Sequence, residues 1–307
     1  MDKRYDLLVI TGPTATGKTR LAAVVADSLG TEVISADSRQ VYRDMDLGTG
    51  KDIDDYIVNG RSVPVHLINI VDPGYKFNVF EFQKSFLKIY DDMVVRQKFP
   101  VVCGGSGMYL DSIVSSYRLI EVPPDENLRM ELEKKSMEEL IEILKSLKDL
   151  HNITDIDTKK RAIRAIEIEK YYAGLKGPGI EFPTINPLII GIALERETRR
   201  KRISERLRTR FKKGMIDEVK SLMDKGISAE TLIYYGLEYK FITLYLTGNM
   251  DYEEMFCRLE IAIHQFAKRQ MTWFRGMERK GIKINWIDGE LPMEEKVDRI
   301  FKLLGKS

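Results

Sequence analysis

Gly12-Pro13-Thr14-Ala15-Thr16-Gly17-Lys18-Thr19 is the stretch that decides the fold. The pattern Gly-x4-Gly-Lys-Thr follows a short apolar run, Leu7-Leu8-Val9-Ile10, and precedes Lys18 to Leu29, where apolar residues recur at helical spacing. A phosphate-binding loop needs this strand–loop–helix setting. Its glycines let backbone N–H groups converge on a phosphate, and the helix N-terminus adds a favourable dipole. Lys18 supplies positive charge, and the Thr19 hydroxyl is placed to hold Mg²⁺. The motif identifies a bound di- or triphosphate, not a reaction.

Outward from this loop, strand-like and helix-like segments alternate. Glu32 to Ala36 and His66 to Val71 read as strands, Asn78 to Arg96 as a helix capped by Asn78, and Pro100 to Cys103 as another buried strand. The alternation predicts an α/β fold of the P-loop NTPase type, a parallel sheet with helices on both faces. After Pro123-Pro124 the pattern turns helical, with segments at Asp125 to Leu150 and Thr158 to Tyr172 and a Gly/Pro-rich linker from Gly174 to Pro187. A strand returns at Leu188 to Leu194, and a last one is expected at Lys283 to Ile287. The expected organisation is a catalytic core of residues 1–117 and 186–307, interrupted by an all-helical insertion at 118–185.

The 307 residues carry 49 Lys and Arg against 47 Asp and Glu, so total charge does not announce a nucleic-acid partner. Clustering does: between Arg196 and Lys213 stand ten Arg or Lys and two Glu, the footprint of a phosphate backbone. Two cysteines, Cys103 and Cys257, fit neither a metal-site spacing nor a secreted disulfide framework. No signal peptide or membrane-spanning run is evident, and a cytoplasmic monomer is expected.

P-loop kinases and ATPases commonly place a Mg²⁺-binding acid at the end of a further buried strand. Here Val101-Val102-Cys103 runs instead into Gly104-Gly105-Ser106-Gly107. The strand that ends in an acid is Val33-Ile34-Ser35-Ala36-Asp37. In open parallel sheets ligands bind at the carboxyl ends of strands, so Asp37 should face the P-loop across a crevice. It could hold Mg²⁺ through water, accept a proton from a nucleophile, or merely cap a following helix.

The combination of motifs resembles the tRNA dimethylallyltransferases, or tRNA isopentenyltransferases. The resemblance rests on the P-loop, on Ile34-Ser35-Ala36-Asp37-Ser38-Arg39-Gln40-Val41-Tyr42 continuing to Lys51, and on His66-Leu67-Ile68-Asn69-Ile70-Val71-Asp72-Pro73. It extends to Gly104-Gly105-Ser106-Gly107-Met108-Tyr109 and Ala267-Lys268-Arg269-Gln270-Met271-Thr272-Trp273-Phe274. It implies transfer of a dimethylallyl group from dimethylallyl diphosphate to N6 of the adenosine 3′-adjacent to the anticodon, in tRNAs reading U-initial codons. It further implies Mg²⁺ as cofactor, held by Thr19, and residues 12–19 as the seat of the donor's diphosphate.

By the same resemblance the catalytic residues would be Asp37, which would accept the N6 proton, Ser106, which stands where the family usually has Thr and would contact the diphosphate or the adenosine region, and Lys18 and Arg206, which would stabilise the leaving diphosphate. Contacts with tRNA would come from Asp37, Ser38, Arg39, Gln40, Ser106, Arg129, Lys160, Arg161, Ala162, Ile163, Arg164 and Lys268. The chain departs from the family at Ile263-His264 (Thr-Arg elsewhere), at Leu237-Glu238-Tyr239-Lys240 (Ile-Gly-Tyr-Lys elsewhere) and at Asp155 to Thr158, which replace a Pro-Asn-Asp string. Prenylation of a free adenine nucleotide, and a P-loop kinase or ATPase, are the competing readings. Leu259, Ala262, Ile263, Phe266, Gln270, Trp273 and Phe274 fall on one helical stripe and are expected in the core, where Gln270 would need a partner. His66 and His264 are expected to be structural.

Overall fold

β1 (Leu7–Thr11) is buried at every position, as a strand covered on both faces must be. This computed structural model describes residues 5–117, 119–148, 156–174 and 182–306. From β1 the chain turns through the P-loop into α1 (Lys18–Ser28) and returns as β2 (Val33–Ser35). A small hairpin follows, β3 (Ile57–Val58) and β4 (Arg61–Ser62), and then β5 (Val65–His66). Next come α2 (Val79–Val95), β6 (Val101–Gly104) and α3 (Gly107–Val114). The expected Asn78 cap is a full capping box: its side chain accepts from Glu81 N, and the Glu81 carboxylate accepts from Asn78 N.

The third strand is shorter than its apolar pattern suggests. Only Val65 and His66 pair with β2, because Leu67 and Asn69 take positive φ of 63° and 55° and break the extended run. Val71 rejoins the sheet only as an isolated bridge to Tyr42.

The chain divides into two units, Met1–Tyr117 with Pro183–Ser307, and Arg118–Phe182. In the second unit the stretch from Asp125 to Leu150 is two helices, α4 (Glu126–Glu133) and α5 (Met137–Leu147), split where Ser136 starts a capping box with Glu139. Residues 149 and 150 lie outside the described residues. α6 (Lys159–Gly174) completes the unit, whose core joins Leu132, Leu140, Leu144, Ala162, Ile163, Ala165 and Ile166. Part of the Gly/Pro-rich linker, residues 175–181, also lies outside the described residues.

The first unit resumes with β7 (Pro187–Ala193), the basic helix α7 (Arg196–Lys212), then α8 (Met215–Asp224), α9 (Ala229–Tyr234), α10 (Leu237–Leu246) and the long α11 (Tyr252–Arg279). It ends with β8 (Asn285–Asp288) and α12 (Met293–Leu304). β8 begins two residues later than expected. Six strands form one sheet in the order β5-β2-β6-β1-β7-β8, every neighbouring pair parallel. The carboxyl ends of β1, β2 and β6 are therefore adjacent. They deliver, in turn, the P-loop, Asp37 and the Gly104-Gly105-Ser106 turn to one edge.

Candidate active site

The P-loop conformation depends on particular residues. Gly12 has φ 149°, and a Cβ there would stand 2.5 Å from the Ile192 carbonyl oxygen, so neither backbone angle nor space admits a side chain. Gly17 enters α1 in the left-handed region. Ala15, also at positive φ, 66°, is held there against its steric preference. Within the loop Thr16 Oγ1 donates to Pro13 O at 3.0 Å.

Gln270 of α11 is the brace that the apolar stripe called for. Its Oε1 accepts from Thr14 N at 2.9 Å, and its Nε2 donates to Gly105 O at 2.8 Å. One buried amide thus joins the P-loop to the turn after β6. The stripe itself is Met255, Leu259, Ile263, Ala267, Gln270, Phe274 and Met277. Phe266 is not part of it: it is exposed and stacks under Arg269. Trp273 covers Gly107, where a Cβ would meet the indole at 2.4 Å. Lys268 lies on the solvent side.

Residues 36–51 have almost no regular structure, so side chains hold them. Asp37 heads no helix. Its Oδ1 accepts from Arg39 N at 2.9 Å, a local turn, and this is its one hydrogen bond among the described residues. Ser106 Oγ accepts from Ser38 N at 3.0 Å and fixes that turn to the end of β6. A Cβ on Gly104 would lie 2.2 Å from Ala36 O, so β2 and β6 can approach this closely only through glycine. The buried Lys51 ammonium donates to Tyr42 O, Asp46 Oδ1 and Asn69 Oδ1, which satisfies all three of its protons. Glu218 of α8 accepts from the backbone N–H groups of Asp46, Leu47 and Gly48 and from Tyr239 OH.

These elements enclose one pocket. It is lined by Thr14 to Thr19, Asp37, Gln40, Thr49, Gly50, Asp52, Asp55, Tyr56, Cys103, Gly104 and Arg206. Of the residues picked out by sequence, the P-loop, Lys18, Asp37, Gln40 and Arg206 meet there. Ser106, Ser38 and Arg39 stand immediately behind Asp37.

The pocket's charges are arranged for an anion. Burial holds Lys18 below the usual lysine range, against the opposing pull of Cys103 and Asp37. Arg206, whose guanidinium donates to Thr14 Oγ1, is lowered to about 10, first by burial and then by Arg210. Arg210 was not singled out by sequence. It lies four residues from Arg206 on the inward face of α7 with Ile203 and Leu207, fills the space beside Gly50, and pairs with Asp52 at 3.3 Å. Its signal was its place on that apolar stripe. Glu238, at the departure in the Leu237 to Lys240 motif, is pushed up by burial, with Arg210 and Arg206 opposing. Asp52, Asp55 and Tyr56 follow Lys51 and carried no sequence signal.

For Mg²⁺ the available donors are the Thr19 hydroxyl and the pocket carboxylates, all hard oxygen ligands. Among the described residues no group of three His, Cys, Asp or Glu forms a protein cage. Mg²⁺ needs none, since it is commonly held by one or two protein oxygens together with substrate phosphates. The donor set fits the ion.

The insertion residues are placed in their own unit. Ala162 and Ile163 are buried in its core, so in the run from Lys160 to Arg164 only Lys160, Arg161 and Arg164 bring side chains to solvent. Buried Glu167 accepts from Arg129 Nε and Nη2 at 2.9 and 3.0 Å, from Asp125 N at 2.7 Å, and from Arg164. His66 is structural, bonded to Glu32 at 2.7 Å. His264 Nδ1 is buried with no partner among the described residues. Both cysteines are free thiols. Burial pushes Cys103 up to about 12, an unreactive thiol. No helix among the described residues is long and apolar enough to cross a membrane.

Comparison with known proteins places the chain in a family. The IPP transferase family model matches residues 40–277, and an isopentenyl transferase model matches residues 5–67. A tRNA dimethylallyltransferase 2 of Phocaeicola vulgatus is 60% identical over 302 residues, 98% of each chain. A tRNA dimethylallyltransferase 1 of Parabacteroides distasonis is 57% identical over 302 residues, again 98% of each. The full-length tRNA isopentenylpyrophosphate transferase of Bacillus halodurans has a similar structure, with TM-score 0.72, 32% identity, and coverage of 98% of this chain and 96% of that one. A eukaryotic dimethylallyltransferase shares the fold at TM-score 0.79 and 20% identity, covering 98% of this chain and 80% of its own. With a family model matching residues 40–277, well over half of the chain, and relatives alike over nearly their whole length, the chain belongs to the IPP transferase family.

Proposed function

We propose that the chain transfers a dimethylallyl group from dimethylallyl diphosphate to N6 of the adenosine 3′-adjacent to the anticodon of tRNAs reading U-initial codons, releasing diphosphate. The relatives' names supply the reaction class. The observation that carries the mechanism is the meeting of the P-loop, Arg206 and Asp37 in one pocket. Two buried or partly buried cations, Lys18 and Arg206, line the same pocket with Arg210 behind Arg206, an arrangement that an entering diphosphate relieves.

Exocyclic N6 is a weak nucleophile because its lone pair is delocalised into the ring. Activation therefore falls on the leaving group. Lys18, Arg206 and the P-loop N–H groups stabilise the charge that grows on the departing diphosphate. Mg²⁺, when bound by Thr19 and the diphosphate, adds Lewis-acid stabilisation of that same charge. Asp37 uses one oxygen to hold its own turn, which leaves Oδ2 to accept a hydrogen bond from N6 and then its proton. Ser106 fixes the turn that aims Asp37. The target base must leave its stack to reach Asp37. Ser38, Arg39 and Gln40 lie beside it there, with Arg129, Lys160, Arg161, Arg164 and Lys268 as further contacts to the anticodon stem-loop.

The test is incubation with labelled dimethylallyl diphosphate, Mg²⁺ and one of three acceptors: unmodified tRNA, the same tRNA with the target adenine replaced, or AMP. Label is expected only in the unmodified tRNA. Label in AMP but not in tRNA would overturn the acceptor, and in a parallel incubation with ATP, ATP turnover without prenyl transfer would overturn the reaction.

A further inference from the structure

Tyr234, the last residue of α9, is 49% exposed although its neighbour Tyr235 is fully buried. Its position is fixed from three sides. The Tyr235 ring meets it in a T-shaped contact with centroids 5.8 Å apart. Arg39 Nη2 donates to the Tyr234 carbonyl at 3.2 Å, and the Arg39 guanidinium carbon lies 5.4 Å from the ring centroid. Lys76 Nζ lies 5.9 Å from the same centroid. Lys76 belongs to a loop tied to Tyr235, whose hydroxyl accepts from Gly74 N and donates to Tyr75 O. Arg39 is also the residue whose N–H holds Asp37. A half-exposed aromatic ring, the two cations over it and the carboxylate turn are thus one connected structure.

That chemistry matches an unpaired nucleobase with its phosphates. A base stacks on an aromatic face whatever its identity, and nearby cations draw the flanking phosphates. Given the reaction proposed above, on which this rests, we infer that Tyr234 is a stacking platform for an unpaired base adjoining the adenosine presented to Asp37. A base held there keeps the loop open around its neighbour, which then enters the pocket without returning to the stack.

Transfer to an unmodified anticodon stem-loop tests this with the wild type, Tyr234→Ala and Tyr234→Phe. Tyr234→Ala should raise KM for the RNA about five- to hundredfold, with the KM for dimethylallyl diphosphate unmoved. Tyr234→Phe, which keeps the ring, should restore the RNA KM. An unchanged RNA KM in Tyr234→Ala overturns the platform. Equal losses in the two variants also overturn it, because the hydroxyl would then be the active group.

A binding measurement stands apart from turnover. The Tyr234→Trp variant, read against the native signal of Trp273 and Trp286, should gain fluorescence quenching on titration with the stem-loop. That gain should vanish when the nucleotides flanking the target adenosine are abasic. Absence of added quenching, or quenching indifferent to abasic sites, overturns the platform. Quenching with no transfer by the wild type would instead strike the proposed reaction and leave the platform standing.

Discussion

Asp37 and Lys18 reach the same pocket but answer to different physics. Asp37 is proposed to matter only as N6 loses its proton. Asp37→Ala should therefore lower kcat by about 10²–10⁴ and leave donor affinity intact, as checked by single-turnover transfer and calorimetry. Lys18 is held below its usual range by burial, so without a phosphate partner its charge is a cost to the fold. For a lysine with a lowered folded pKa the sign runs opposite to the paired case: stability rises as pH climbs through the folded pKa towards 10.5. Lys18→Met should gain on the order of 1 kcal/mol in thermal unfolding at neutral pH and lose diphosphate binding, the usual opposition of stability and function at a site. Inorganic diphosphate should raise the melting temperature of the wild type but not of this variant.

At the scale of elements, single polar side chains hold segments that have no backbone ladder of their own. Gln270 is one: through this amide α11 holds Thr14 of the P-loop and the Gly105 turn together. Gln270→Leu leaves Thr14 N and Gly105 O without partners and should cost about 1–3 kcal/mol in unfolding free energy while also weakening donor binding. Glu167 is the counterpart in the helical insertion. Burial pushes its carboxyl up, but hydrogen bonds from Arg129, Asp125 N and Arg164 outweigh this and hold it below the ordinary 4.5. A depressed carboxylate contributes stability above its unfolded value, and loses it as pH falls through the folded one. Proteolysis within residues 118–182 should therefore accelerate below about pH 4.5 in the wild type. Glu167→Gln should show that loss already at neutral pH, by about 1.5–3 kcal/mol, with diphosphate binding to the other unit unaffected.

Across the whole molecule the near-zero net charge conceals a division within α7. Arg206 turns inward to the pocket with buried Arg210 behind it, whereas Arg196, Arg200, Lys201, Arg208 and Lys212 are exposed. The inward pair suits a small anion, and the outward set suits a polyanion. Neutralising Arg200 and Lys201 should reduce the slope of log affinity for tRNA against log salt by about one for each phosphate left without its cation, with donor affinity unchanged.

The P-loop, the parallel sheet and the helical character of residues 125–148 and 159–172 were legible in the chain. Each is a local pattern: a fixed glycine spacing, an apolar run, a 3.6-residue period. Asp37 was legible because a strand carried it to the edge where such sheets bind ligands. Other features needed the tertiary structure. Leu67 and Asn69 end a strand that their apolar neighbours would extend, because the backbone there turns to positive φ. Phe266 leaves the core because the buried stripe of α11 passes through Ala267. Arg210 backs the pocket because α7 presents its fourth-residue neighbour there, and Gln270 braces it because two turns distant in sequence each leave a polar backbone atom toward it. A local period states which residues share a face. Only the packed chain states what that face meets, and at Asp37, Arg206 and Gln270 that meeting makes the site.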